Sequence, residues 1–243
     1  MTRLAIVTGV SRGLGEALAA DLLSRGWEVI GIARHDAKSL AHERYRFVEA
    51  DLAAAEHIDT ALEGMFARAA ARYASQAVLI NNAATAGPVG VTGRLTAHDI
   101  AQSLAVNLVA PTVLANLFCR CFQDEACDRR IINVSSGAAQ NTIAGIGVYS
   151  VAKAGLEMLT RMLAADHPSS TLRAISLRPG VIDTEMQVHA RSQPRDAFPS
   201  VDLFVGFHES GQLVAPAVVA RKTIDRLIEG PIEAGRTYTY AEL

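Results

Sequence analysis

Short, nearly unbroken apolar runs alternate along the chain with longer stretches in which apolar residues return every three or four positions. Residues 4–8, 27–33, 46–50, 77–81, 130–135, 171–177 and 236–240 make up the first set and predict seven strands. Between them, residues 14–25 place Leu14, Ala17, Leu18 and Leu22 on one helical face and stop at Gly26, and an alanine-rich helix is predicted from Ala54 to Tyr73. Thr96, with Asp99 three residues on, resembles a capping box opening a helix toward Phe118, in which Pro111 predicts a kink. Helices over 148–167 and 215–229 complete the pattern. Strands that are apolar throughout are those with both faces covered, and strands alternating with helices of this length pair in parallel through right-handed crossovers. The fold class is therefore α/β: one doubly wound domain over 1–243, with a seven-stranded, mostly parallel sheet and helices on both faces. Only 184–214 lacks clear periodicity; with Pro194, Pro199, Gly206 and Gly211 it reads as an irregular lid.

Composition then narrows the function classes. Hydrophobic residues make up 50% of the 243 and charged residues 20%, and the mean hydropathy is +0.19, a profile that supports a large core rather than disorder. A formal charge of -2 supplies no basic field for nucleic acid or an anionic membrane, and 5% aromatics leave little for stacking on bases. No run of the sequence approaches the ~20 apolar residues of a membrane span, and the apolar stretch after Met1-Thr2-Arg3 meets a glycine at position 9, too soon for a signal peptide. Cys119, Cys121 and Cys127 have no nearby histidine to complete a metal site, so reduced thiols in a cytoplasmic protein are expected, with no metal.

Thr8-Gly9-Val10-Ser11-Arg12-Gly13-Leu14-Gly15 falls where the first strand turns into the first helix. Glycines there let backbone approach a ligand closely, and the helix N-terminus offers free N–H groups and partial positive charge to a pyrophosphate. Charge discriminates between the two nicotinamide dinucleotides. An acid at the tip of the second strand holds ribose hydroxyls, whereas arginine accommodates a 2′-phosphate. Here the strand ends Gly31-Ile32-Ala33-Arg34, facing Arg12 across the loop. Two converging guanidiniums call for an anion between them, and NADP(H) supplies it. Asp36, two residues beyond, is the one acid close by in sequence.

Tyr149 and Lys153 are four apart in a predicted helix and share a face. A nearby ammonium stabilises a phenolate, so the lysine is expected to lower the tyrosine from its free value near ~10. Ser136 follows the fifth strand, at the carboxyl edge where open sheets bind ligands, and its hydroxyl suits a substrate carbonyl. Each of these residue types is common on its own; their combination with the glycine loop is what carries weight.

That combination resembles the short-chain dehydrogenase/reductase family over nearly the whole length. The loop at 8–15, Asn81-Asn82-Ala83-Ala84, Ile132-Asn133-Val134-Ser135-Ser136, Tyr149-Ser150-Val151-Ala152-Lys153 and Pro179-Gly180-Val181-Ile182-Asp183-Thr184 follow the family's motifs in order and spacing. Ala84 stands where the family usually has glycine. The resemblance implies a Rossmann fold, with Tyr149 as general acid, Lys153 tuning it and holding the nicotinamide ribose, Ser136 positioning the carbonyl, and Asn107 steadying a water in the proton relay. It implies cofactor contacts from Gly9, Ser11, Arg12, Gly13, Leu14, Gly15 and Arg34, from Asp51 and Leu52 beside the adenine, and from Asn82, Ala83, Pro179 and Gly180. Ile182 and Thr184 would hold the carboxamide.

Arg12 with Ala33-Arg34, Ser135-Ser136-Gly137-Ala138-Ala139 and Val181-Ile182-Asp183-Thr184-Glu185-Met186-Gln187 resemble more narrowly the sepiapterin reductase and benzil reductase branch, which reduces vicinal dicarbonyls with NADPH. Sepiapterin reductases carry an aspartate in the last strand; here it reads Arg236-Thr237-Tyr238-Thr239-Tyr240, so the resemblance implies a diketone-type or aromatic ketone substrate rather than a pterin. The lid holds Phe198, Phe204 and Phe207, with His189 and His208 at its surface. Family likeness also implies that the outer face of the helix carrying Tyr149 pairs with a second subunit, in a homodimer or homotetramer. Two other readings stay open. One is reduction of a 3-oxoacyl thioester or a general alcohol dehydrogenase activity, to which Arg191 and Arg195 would suit an acidic carrier; the other is a non-catalytic NADPH sensor.

Overall fold

The computed structural model describes residues 3–72, 75–168 and 171–243. The chain runs β1 (Arg3–Thr8), α1 (Gly13–Ser24), β2 (Glu28–Ala33), β3 (Tyr45–Glu49), α2 (Ala55–Ala70), β4 (Gln76–Asn81), α3 (Ala97–Leu104), α4 (Ala110–Cys121), β5 (Asp128–Val134), α5 (Gly147–Asp166), β6 (Leu172–Arg178), α6 (Glu185–Arg191), α7 (Val201–Glu209), α8 (Pro216–Thr223) and β7 (Thr237–Thr239). All seven predicted strands form, within a residue or two of their expected ends. The helix expected to reach Tyr73 ends at Ala70; Tyr73 itself lies outside the described residues.

The strands make one sheet in the order β3-β2-β1-β4-β5-β6-β7, and every pairing between them is parallel. The sheet is thus wholly rather than mostly parallel. From β1 the chain winds outward to β3 at one edge, then returns to β4 on the other side of β1. At that reversal the carboxyl ends of β1 and β4 lead into connections on opposite faces, which opens a crevice there.

Alternation along each strand divides the core in two. Leu4 and Ile6 of β1 join Leu79, Ile131 and Ala174 under α2 and α4. Ala5 and Val7 point the other way, with Val78, Ile132 and Ile175, under α1 and α8. A third, smaller cluster of Ala138, Ile146, Ala190, Phe198 and Val201 sits beneath the lid and packs against Tyr149.

Two features depart from the sequence reading. The helix opened by Thr96, whose hydroxyl accepts from Asp99 N at 3.1 Å, continues from Ala97 to Cys121. Its wide turn at Ala105–Val109 (a π segment) precedes Pro111, so the missing proline N–H is absorbed by a local bulge. By length and hydropathy this helix would suffice to cross a membrane, although no unbroken apolar run announced it. Its residues Ala110, Leu114, Leu117 and Phe118 instead lie buried on the sheet. The lid is also less irregular than expected, since α6 and α7 lie inside 184–214.

Phe118 is fully buried, stacked on Phe122 with ring centroids 4.6 Å apart. Phe118→Ala removes a side chain from the tightest part of the core and is expected to lower stability by about 3–5 kcal/mol, read as a shift in the urea midpoint with an unchanged m-value.

Candidate active site

The crevice between β1 and β4 is closed by one hydroxyl. Thr8 Oγ1 accepts from the backbone N–H groups of both Asn82 and Ala83, each at 3.0 Å. The Asn82 amide returns the contact, donating to Thr8 O at 2.9 Å and Gly9 O at 3.4 Å. This leaves no room beside the loop. A Cβ on Gly15 would overlap the Gly9 carbonyl, and one on Gly9, at φ +73°, would come 2.9 Å from Ala83 Cα. No side chain caps α1, so its first N–H groups remain available at the crevice. A glycine cradle under an uncapped helix N-terminus fits a dinucleotide's pyrophosphate.

Around this floor stand the other residues expected to meet a cofactor. Ser11 and Arg12 are exposed and Leu14 is buried beneath the loop. Thr184 meets the glycine loop at Gly13, its Cγ2 3.3 Å from where a Gly13 Cβ would lie. Pro179 and Gly180 end β6, with Gly180 at φ +77°, and Ile182 bridges to Val214. Asp51 turns the chain after β3 by accepting from Ala53 N at 3.0 Å, while Leu52 is buried in the α2–α4 core. Arg34 is exposed at the tip of β2. Asp36, the acid nearest to it in sequence, accepts from the Tyr45 hydroxyl at 2.9 Å. Arg12 does not simply point into solvent as a second free arginine: its guanidinium pairs with Glu185, in the first turn of α6.

The catalytic candidates converge one strand further along. Ser136 follows β5 and accepts from Ala138 N at 3.2 Å, which opens a short 3-10 turn at Gly137–Ala139. Tyr149, in the first turn of α5, lies near Ser136, whose side chain pulls its titration downward. Lys153, one turn on, is buried beneath them, its Nζ 2.7 Å from Val134 O and 5.6 Å from the Tyr149 ring centroid. Asn107 occupies the wide turn between α3 and α4. Its side chain accepts from Thr85 N at 3.0 Å, donates to Thr85 O at 2.9 Å and reaches Ser103 Oγ at 3.2 Å. It therefore anchors the loop that follows Asn82.

The electrostatics differ from the sequence expectation in one respect. Tyr149 is pushed above its ordinary value of 10.0 by burial, with the Ser136 side chain pulling the other way. Lys153 does not lower it, because its ammonium is spent on the Val134 carbonyl below the ring rather than on the phenol oxygen. Burial instead takes Lys153 down from 10.5 to about 8. The three cysteines lie away from this cluster. Burial raises all of their thiols, Cys119 to about 11, which makes them poor nucleophiles. Among the described residues no group of His, Cys, Asp or Glu is arranged to hold a metal ion.

Four residues contribute in ways the motifs do not announce. Thr8 begins the glycine loop in the sequence, and in the structure its hydroxyl is the clasp. Glu185, the partner of Arg12, lies 173 residues away from it, and no spacing links them. Glu157 and Arg178, an ion pair behind Ser136, belong to separate elements.

Comparison with known proteins identifies the family. The family model for short chain dehydrogenases matches residues 3–195. The chain is 33% identical over 235 residues to a benzil reductase ((S)-benzoin forming) of Bacillus cereus, covering 93% of this chain and 94% of that one. It is 33% identical over 208 residues to the sepiapterin reductase of Mus musculus, covering 79% and 78%. The crystal structure of the KRED1-Pglu enzyme superposes with a TM-score of 0.85 at 28% identity, over 98% of this chain and 100% of that one.

Lys153 gives the site a pH signature. Its folded value lies below its unfolded one, so between about pH 8 and 10.5 the unfolded chain binds more protons. Over that window this group makes stability rise with pH; below it, the buried ammonium is a constant penalty. The urea stability of the parent relative to Lys153→Met should therefore be flat from about pH 6 to 7.5 and improve toward about pH 9.5. A difference independent of pH would contradict the assignment.

Proposed function

The chain belongs to the short-chain dehydrogenase family, and from that premise we propose that it uses NADPH to reduce one carbonyl of a vicinal diketone or similar aromatic ketone to the alcohol. Family membership makes it an oxidoreductase that works with a nicotinamide cofactor. The observation that carries the mechanism is Tyr149 beside Ser136, its ring 5.6 Å from the buried Lys153 ammonium. NADPH, when bound, supplies the hydride. Ser136 holds the substrate oxygen and disperses its growing negative charge. Tyr149, kept protonated at neutral pH by its burial, gives that oxygen its proton. Lys153 keeps a positive charge close to the acid as the phenolate forms.

Two observations support the finer reading. Arg34 is exposed at the tip of β2, and Asp36 is engaged by Tyr45, so the acid does not stand free to hold ribose hydroxyls. Arg12, in the glycine loop between β1 and α1, exchanges Glu185 for the 2′-phosphate in this reading. On the substrate side, the last strand lacks an acid that would anchor a pterin amino group. The nearest candidate, Glu242, accepts from Thr239 N and Thr239 Oγ1, both at 2.7 Å, and pairs with Arg236. The relative named benzil reductase favours the diketone.

One set of assays tests this. Benzil, phenylpropanedione and sepiapterin are offered with NADPH or NADH, to the parent, Tyr149→Phe and Arg34→Ala. The expected result is dicarbonyl turnover with NADPH, a loss of about 10²–10⁴-fold in Tyr149→Phe, and an NADPH KM raised about tenfold or more in Arg34→Ala with NADH unaffected. Sepiapterin as the best substrate, or NADH preferred by the parent, would overturn it.

A second copy of the chain is the occupant we propose for the outer face of α4 and α5. Val151, Met158 and Met162 form an exposed apolar stripe along α5, Val151 being 64% exposed, beside exposed Val109 at the start of α4. A solution mass of two or four chains is expected, falling to one in Val151→Glu/Met158→Glu; a monomeric parent would rule this out.

A further inference from the structure

Behind Ser136 lies a group of charged and polar side chains that the proposed chemistry does not use. Glu157, on α5 one turn beyond Lys153, is buried. One of its oxygens accepts from Ser135 Oγ at 2.7 Å and from Arg178 Nε at 2.8 Å; the other accepts from Arg178 Nη2 at 2.6 Å. The remaining arm of the Arg178 fork donates to Gln140, just past the turn that Ser136 caps. Ser135 N also donates to Leu177 O at 2.7 Å. The segment 135–140 is thereby attached at both ends to one bidentate ion pair, and Arg178 itself immediately precedes Pro179-Gly180.

Stability alone is a poor reason for such a group. Taking a carboxylate and a guanidinium out of water costs about as much as their attraction returns, and apolar side chains of similar volume serve a core as well. What an ion pair with a fixed fork geometry supplies is direction. Here the directed object is the short run bearing Ser136.

We propose that Ser135, Glu157 and Arg178 are positioning residues for carbonyl reduction, holding Ser136 so that its hydroxyl faces Tyr149 and the substrate oxygen. This rests on the role of Ser136 proposed above. Ser135 supplies the link from the acid to the adjoining catalytic serine, and Arg178 ties the far end of the turn through Gln140 while fixing the Pro179-Gly180 corner.

The test is a double-mutant cycle. Ser135→Ala is compared in two backgrounds, the parent and Ser136→Ala, so that a contribution made through Ser136 vanishes when Ser136 has no hydroxyl. Two readouts are taken: kcat with NADPH and benzil, and the titration of the Tyr149 phenol in the cofactor-free protein, followed by tyrosine 13C NMR and assigned with Tyr149→Phe. In the parent background Ser135→Ala should lower kcat about tenfold, equivalent to about 1.4 kcal/mol, and move the Tyr149 titration to higher pH because Ser136 no longer faces it to pull it down. In the Ser136→Ala background neither readout should change further. Ser135→Thr, which restores a hydroxyl, should recover both. Equal losses in the two backgrounds, or an unmoved Tyr149 titration in the parent background, would overturn the inference. The titration decides the matter even where benzil is not turned over. Ser136→Ala with the parent's activity and Tyr149 titration would remove the catalytic reading and this inference together; a large Ser136→Ala effect with a silent Ser135→Ala removes the inference alone. Gln140→Ala, at the exposed end of the group, carries the same expectation should Ser135→Ala fail to fold.

Discussion

Any side chain on residue 15 would have to share space with the carbonyl oxygen of Gly9. That steric fact governs the rest of the molecule's upper face. It brings the start of α1 against the end of β1, and it lets Asn82 close over both with its amide on Thr8 and Gly9. The crevice at the reversal of strand order is therefore narrow, walled by backbone, and rich in N–H groups with no side-chain cap. A pyrophosphate recognised there is recognised by main chain, which mutation alters only by adding bulk. Side chains enter at the periphery, where Arg34 and Arg12 carry the charge.

The second half of the site depends on a different kind of control, the placing of charge in a dry environment. Lys153 is buried against the Val134 carbonyl, and Tyr149 lies beside Ser136. Burial acts on the two in opposite directions, lifting the acid and depressing the base, because a dry site disfavours the charged form of each. The ion pair behind Ser136 has the same character: its value lies in geometry rather than in net attraction.

Much of this was legible in the sequence, for physical reasons that can be named. Strands buried on both faces are apolar in their interiors, as Leu4–Val7 of β1 and Ala77–Ile80 of β4 are, while β5 carries buried Arg129, Arg130 and Asn133 around its Ile131-Ile132 pair. The glycines, Ser136, Tyr149 and Lys153 could be found because local chemistry demands them at fixed separations. The two lid helices were missed because their apolar residues answer to one another in a small cluster, Phe198 on Phe204 with centroids 5.1 Å apart and Phe204 on Phe207, and not to the sheet. The direction of the Tyr149 shift was missed because it turns on which oxygen the lysine finds, and a backbone carbonyl leaves no mark on the sequence. Arg12 with Glu185, and Ser135 with Glu157 and Arg178, meet only once the topology has folded distant segments together.

The wide turn at Ala105–Val109 has a bearing on how this chain can vary in length. An α-helix advances about 100° per residue, so one surplus residue rotates everything on one side of it by roughly that angle. Here the surplus lets Asn107 turn inward to Thr85 while Leu114, Leu117 and Phe118 still meet the sheet. The loop before α3 can be lengthened or trimmed without disturbing that phase. A deletion of one residue between Asn107 and Leu114 cannot: it would swing the asparagine out of register with the core by more than a quarter turn. Length variation in this protein is thus permitted at the ends of its longest helix and forbidden at its middle.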